Sequence, residues 1–230
     1  MKRKIFIACD TIKISQINKI LKNTRTDKLN VFYKFGLEFF NSKLGRTFLS
    51  KTKEKNKIWL DIKLFDIPNT VSSSINSLKD LKNLNYLTIH VSGGLEMMLA
   101  AKKAAKKTNK NLKILGVTIL TSFSEKSLRD IGHMKNIKET VILQAKLAKK
   151  AGLDGVVCSG HEAKYVKKIC KNMEIITPGI RMLNDSKNDQ RRVVTPQEAF
   201  ENGATGIVMG RSITRGNIKN NVQKLIESLK

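Results

Sequence analysis

Cysteine, proline and tryptophan are scarce in this 230-residue chain, which has three, three and one. The cysteines, Cys9, Cys158 and Cys170, are odd in number and lack metal-ligand spacing, which excludes a disulfide-stapled scaffold and suits a reducing compartment. So few prolines leave no room for a Pro-rich linker or a collagen-like segment. No stretch reaches the roughly 18 consecutive apolar residues of a transmembrane helix. The opening "MKRKIFIACDTIK" is basic, but its apolar run, Ile5–Cys9, ends at Asp10 and is too short for the core of a signal peptide. These absences predict a soluble cytoplasmic protein. Acidic residues are also few, 19 against 44 basic ones, giving a formal net charge of +25. The lysines are scattered through helix-like segments such as "AAKKAAKKTNKNLK" and are not gathered into one arm. No basic stretch carries interleaved aromatics, so the charge reads as a solvated surface and nucleic acid is not an expected partner.

With 40% hydrophobic residues the chain can bury one sizeable core. Eight β-rich runs recur at fairly regular intervals: Lys4–Asp10, Asn30–Gly36, Lys57–Leu64, Tyr86–Ser92, Lys113–Leu120, Gly152–Ser159, Met173–Ile180 and Gly203–Gly210. Between them lie segments with helical spacing. "PNTVSSSINSLKDLK" puts Val71, Ile75, Leu78 and Leu81 on one stripe, and "IKNNVQKLIESLK" closes the chain. Strands alternating with helices imply a parallel sheet, because parallel strands need crossover connections. Eight such units predict a (β/α)8 TIM barrel as a single domain over residues 1–230. An open doubly wound sheet is the alternative, but eight units exceed its usual six, and no Gly-x-Gly-x-x-Gly turn follows the first strand.

The third run, "WLDIKLFDIPNT", places Asp61, Lys63 and Asp66 close together where the pattern calls for a dry interior. Alternation puts Asp61 and Lys63 on one face and Ile62 and Leu64 on the other. In a barrel the apolar pair packs under helices, leaving the charged pair inward at the strand's carboxyl end, where barrel enzymes place their catalytic groups. Asp66 follows on the loop, and Pro68 can open the next helix. Burying charge costs several kcal/mol per ion, roughly, so folding alone does not favour such a cluster. Asp10 ends the first strand and Lys34 lies in the second, giving an expected array Lys34–Asp61–Lys63–Asp66 beside Asp10.

The other end of the chain reads as a phosphate site. Barrels often hold phosphate with the loops after strands seven and eight. Here "TPGIRM" supplies Arg181, and "VMGRSIT" supplies Gly210, which permits close backbone approach, and Arg211, which can grip phosphate with two prongs. Between them "MLNDSKNDQRRVVTP" is polar and aperiodic. A mobile phosphate-closing loop is expected around residues 182–190, with Gln190 as its best-placed amide.

Together "IACD", "YKFGLEFF", "WLDIKLFDIPNT", "HVSGG", "VTILTS", "GLDGVVCSGHEA", "TPGIR", "NDQRRVVTP" and "IVMGRSIT", in that order, resemble the orotidine 5'-phosphate decarboxylase family over nearly the whole chain. The D-x-K-x-x-D-I-P-N-T signature is the most specific part. The resemblance implies decarboxylation of orotidine 5'-phosphate to UMP without a cofactor or metal. Lys63 would be the catalytic acid, with Asp61, Lys34 and Asp66 completing the charged array. It further implies a homodimer in which Asp66 reaches the neighbouring site. Asp10 and Thr121 would contact ribose and base, Thr70 the ribose, and Ile67 and Pro68 would lie against the substrate. Gln190, Gly210 and Arg211 would hold the phosphate, and Arg181 matches a further ligand contact. The nearest rival is a 3-keto-gulonate 6-phosphate decarboxylase, which shares the D-x-K-x-x-D strand but uses magnesium. A silent barrel that binds nucleic acid through its charge is the rival of another class. His90 and His161 read as structural.

Overall fold

Each of the eight predicted runs overlaps a strand in the computed structural model, which describes residues 3–182 and 193–229, and the fourth strand begins two residues before its run, at Leu84. The strands are β1 (Lys4–Ala8), β2 (Asn30–Gly36), β3 (Ile58–Leu64), β4 (Leu84–His90), β5 (Lys113–Val117), β6 (Gly155–Val157), β7 (Glu174–Thr177) and β8 (Gly206–Met209). They pair in parallel in chain order, and β8 returns to β1, with Lys4 opposite Gly206 and Ile7 opposite Met209. The result is the expected (β/α)8 barrel. The runs predicted for β5 to β8 extend beyond the observed strands at their carboxyl ends, because Ile119, Pro178 and Gly210 have left the ladder to form the rim.

Both faces of these strands are apolar, as parallel strands covered by helices require. Ile5, Ile7, Phe35, Leu60, Leu87 and Ile89 point outward into a core shared with the helices. That outer core takes Val71 and Ile75 from the helix Pro68–Asn76, and Leu225 and Ile226 from the helix Ile218–Ser228. Leu78 and Leu81 are also buried, although the helix ends before them at Asn76. No helix among the described residues is long and apolar enough to cross a membrane.

Inside the barrel the first four strands contribute an aromatic plug. Phe6 stacks on Phe32 with centroids 5.0 Å apart and meets Trp59 edge-on at 4.8 Å and Tyr86 edge-on at 5.2 Å. Edge-to-face pairs at such separations are favourable beyond their area burial. Below the plug, the Tyr86 hydroxyl donates to Glu174, which also binds Lys4 and Lys113. Burial would raise the Glu174 carboxyl, but hydrogen bonds from Lys113 and Lys4 win and hold it below its ordinary range. Above the plug, Val117, Val157 and Val208 carry the lining upward to an open mouth.

One ladder is irregular. Between β3 and β4, Leu60 faces Leu87, but the next aligned pair is Leu64 with Ile89. Four positions on β3 therefore span two on β4. The excess is taken up at Lys63, whose φ is 47°. Among the described residues it is the one non-glycine with a positive φ. Such a backbone costs about 1–3 kcal/mol and persists only where its surroundings over-determine it.

Candidate active site

A cavity of about 260 Å³ opens at the carboxyl ends of the strands, with Trp59 from the plug among its lining residues. Asp10, Lys34, Asp61, Lys63, Thr121, Arg181, Gly210 and Arg211 all line it. Residues predicted from six separate strand ends therefore share one chamber. Four cationic side chains face two carboxylates there, so the lining is matched to an anion.

The charged cluster is centred on Asp61. Its Oδ2 lies 3.0 Å from Lys63 Nζ and 3.3 Å from Lys34 Nζ, and Lys34 also stands 3.5 Å from Asp10 Oδ1. Thr88 donates to the other oxygen, Oδ1, at 2.9 Å. Burial would raise the Asp61 carboxyl, but the two lysine charges and the bonds from Lys63 and Thr88 outweigh it, and the group is held below its ordinary value. Burial likewise works against the Lys34 ammonium, yet Asp61 and Asp10 raise its pKa above the usual value. The charges of Asp61 and Lys34 are thus fixed by their neighbours. Two unit charges 4 Å apart interact by about 1 kcal/mol in water and about 4 kcal/mol at an effective dielectric of 20. Enclosure here therefore multiplies what the cluster can exert on a ligand.

The arginines enter from the other side. Arg181 follows β7 and Arg211 follows β8, whereas Lys63 stands near the end of β3, four strands from β7 in either direction around the ring. Gly179, at φ 75°, makes the turn that leads to Arg181. At Gly210 an added Cβ would meet nothing closer than Ala8 Cβ at 3.8 Å, an ordinary contact. Packing does not demand glycine at 210, whose backbone, at φ −107° and ψ −115°, lies outside the regions that residues with a Cβ favour.

Asp66 stands apart from the trio. It is exposed, and its Oδ1 accepts the Ile67 backbone N–H at 2.7 Å. Ile67, Pro68 and Thr70 are exposed as well and do not line the chamber of their own chain. Phe65 and Ile67, which flank Asp66, are 62% and 66% exposed, an unusual apolar display beside a charged mouth. Gln190 and most of the 182–190 loop lie outside the described residues.

Two kinds of residue escaped the sequence reading. Trp59, Cys158 and Pro178 line the chamber without carrying charge. Thr88 was missed because threonine is an ordinary strand residue. The available signal was its register, since Tyr86, Thr88 and His90 share the inward face of β4. His90 itself packs against the Phe65 ring with centroids 5.8 Å apart. Burial and the Lys63 charge lower its pKa below 6.5, so it is a neutral imidazole at neutral pH. His161 opens a helix where its backbone N–H donates to Ser159. The Cys9 thiol, pushed far up by burial, is no nucleophile. Among the described residues no three His, Cys, Asp or Glu side chains are grouped to hold a metal.

Comparison with known proteins bears on this arrangement. The profile of the Orotidine 5'-phosphate decarboxylase / HUMPS family matches residues 3–225. A protein from Wolbachia sp. subsp. Brugia malayi, named orotidine 5'-phosphate decarboxylase, is 43% identical over 223 residues, 96% of both chains. A Fusobacterium nucleatum protein of the same name is 39% identical and is matched over 100% of this chain and 96% of its own. Among solved structures, the orotidine 5'-phosphate decarboxylase of Lactobacillus acidophilus superposes with a TM-score of 0.85 at 34% identity, covering 100% of both chains.

Proposed function

Because the chain belongs to the orotidine 5'-phosphate decarboxylase / HUMPS family, we propose that its chamber converts orotidine 5'-phosphate to UMP and CO2, with Lys63 as the proton donor and no cofactor taking part. The observation that carries this reading is the shared carboxylate. Asp61 holds two ammonium groups within 3.3 Å on one side of the cavity, while Arg181 and Arg211 line the other side. A substrate with a carboxylate at one end and a phosphate at the other matches that division.

The chemistry explains why cations must stand where they do. Breaking the bond between C6 and the carboxylate leaves an electron pair on C6 in the plane of the ring, where no carbonyl or imine can delocalise it. Lys63 brings positive charge to that atom as negative charge develops, then gives it a proton and becomes a neutral amine, which solvent reprotonates. Asp61 orients Lys63 and sits against the departing carboxylate. Lys34 keeps Asp61 ionised, as the lowered carboxyl pKa requires. Phosphate contacts at Arg211 and Gly210 lie away from the reacting carbon, and their binding energy is best used where it lowers the barrier and not only KM.

The exposed Phe65–Asp66–Ile67 segment supports a second element of the proposal, a homodimer that covers this apolar rim and carries Asp66 into the partner's chamber. The cytoplasmic location expected from the cysteine usage accompanies this biosynthetic reading.

The deciding experiment follows orotidine 5'-phosphate absorbance with purified protein in EDTA, alongside Lys63→Ala. Conversion to UMP by the wild type, slowed by at least about 10³-fold in the variant, is the expected result. No conversion would sink the assignment, and activity on a phosphosugar acid that needs magnesium would replace it. Equal rates in both proteins would remove Lys63 as the acid.

A further inference from the structure

Thr88 is fully buried in β4 and does not line the cavity, yet it touches two members of the cluster. Its hydroxyl donates to Asp61 Oδ1 at 2.9 Å and accepts the backbone N–H of Lys63 at 3.1 Å. The second contact has a structural origin. Where the β3–β4 ladder slips between Leu60 and Leu64, the Lys63 N–H turns to a side chain on β4. A buried N–H without an acceptor is costly, and here the hydroxyl replaces the missing carbonyl. The slip is also where Lys63 takes its φ of 47°.

A hydroxyl has one hydrogen and two lone pairs, so it can donate to the carboxylate and accept from the amide together. Neither valine nor alanine can do either. We infer that Thr88 is a positioning residue for the proposed decarboxylation, one hydroxyl fixing both the rotation of the Asp61 carboxylate and the left-handed backbone that aims Lys63. The inference rests on the decarboxylase reading for its kinetic arm only. Without the hydroxyl, Asp61 keeps Lys34 and Lys63 at Oδ2 but loses the donor at Oδ1. The Lys63 amide loses its acceptor in the same step. Both reacting groups are then free to drift, and small misplacements of reacting groups cost far more in turnover than in binding. The arginines on the far side are untouched, so ground-state affinity is kept.

The test compares wild type, Thr88→Val and Thr88→Ser for kcat and KM with orotidine 5'-phosphate. It also measures hydrogen exchange at the Lys63 amide in the wild type by NMR. Thr88→Val should lower kcat about ten- to hundredfold, the loss expected for a hydrogen bond to a charged group, and leave KM within about threefold. Thr88→Ser, which keeps the hydroxyl, should stay within about threefold of wild type in both. Valine at wild-type kcat would overturn the inference. Equal losses in valine and serine would do so too, since volume and not the hydroxyl would then matter. Should Thr88→Val fail to fold, the exchange measurement decides. Strong protection of the Lys63 amide supports the contact, and exchange at the rate of an open loop overturns it. Wild-type protein inactive on orotidine 5'-phosphate would sink the decarboxylase reading, while the exchange result would still stand or fall by itself.

Discussion

Lys34 and Lys63 converge on a single oxygen: Oδ2 of Asp61 lies 3.3 Å from one ammonium and 3.0 Å from the other. Two like charges are held together by one carboxylate, so that carboxylate is the element whose loss the cluster tolerates least. Asp61→Asn should destabilise the fold by about 3–5 kcal/mol, the range for breaking one partner of a buried ion pair. The sign with pH follows from the lowered carboxyl of Asp61. A carboxylate depressed on folding contributes stability that is complete above its unfolded value and lost as pH falls through the folded one. The gap in unfolding free energy between wild type and Asp61→Asn should therefore stay flat at neutral pH and narrow only below about pH 4. Urea titrations across pH would show it, and a gap that widens in acid would contradict the assignment of charge.

His90 offers an independent gauge of the same field. Its pKa is lowered first by burial and then by the Lys63 charge. Its NMR titration midpoint should fall below 6.5 in the wild type and move up in Lys63→Ala. Folding favours the neutral ring, so His90 makes the protein less stable as pH drops below the unfolded value. An unchanged midpoint in Lys63→Ala would mean the lysine does not bear on that ring.

Arg211 should reveal itself through the substrate's far end. Arg211→Ala is expected to raise KM for orotidine 5'-phosphate about 10- to 100-fold, the loss of one charge-assisted, two-pronged contact. Turnover should fall as well if phosphate binding energy lowers the barrier. With orotidine, which lacks the phosphate, variant and wild type should perform alike. A deficit on both substrates would place Arg211 at the reacting centre instead.

Asp66 makes its prediction across subunits. Lys63→Ala and Asp66→Ala should each be nearly inactive as pure proteins. After mixing and subunit exchange, half the dimers are hybrids, each with one chamber built from intact parts, so about a quarter of wild-type activity should return. Absence of any recovery, with exchange verified by mass, would confine Asp66 to its own chain.

How far the sequence foretold this molecule depends on which physical signal each part left. The strands were legible because short β-rich runs recur between segments of helical spacing, and Asp61 and Lys63 were legible because two charges at i and i+2 must share a face. Their proximity to Lys34 followed from ring order. The ends of β5 to β8 were not legible, since Ile119 and Pro178 are as compatible with a rim as with a strand. The left-handed turn at Lys63 left no trace at all. Such a backbone normally announces itself with glycine, and here lysine is held in it by tertiary contacts. Thr88 was invisible for the complementary reason, a common strand residue whose importance lies wholly in the slip beside it. Asp66 was expected in the array and in the neighbouring subunit's site; within its own chain it is exposed, since once the strand ends its direction is set by the loop.

The ring of Phe6, Phe32, Trp59 and Tyr86 makes this barrel a cup and not a tube. A cup has a single doorway. Whatever gas is formed against its inner wall must leave past the larger molecule that came in with it, or wait until that molecule has gone. Entry and departure are therefore bound to one opening by four aromatic rings, of which Trp59 alone reaches the chamber lining.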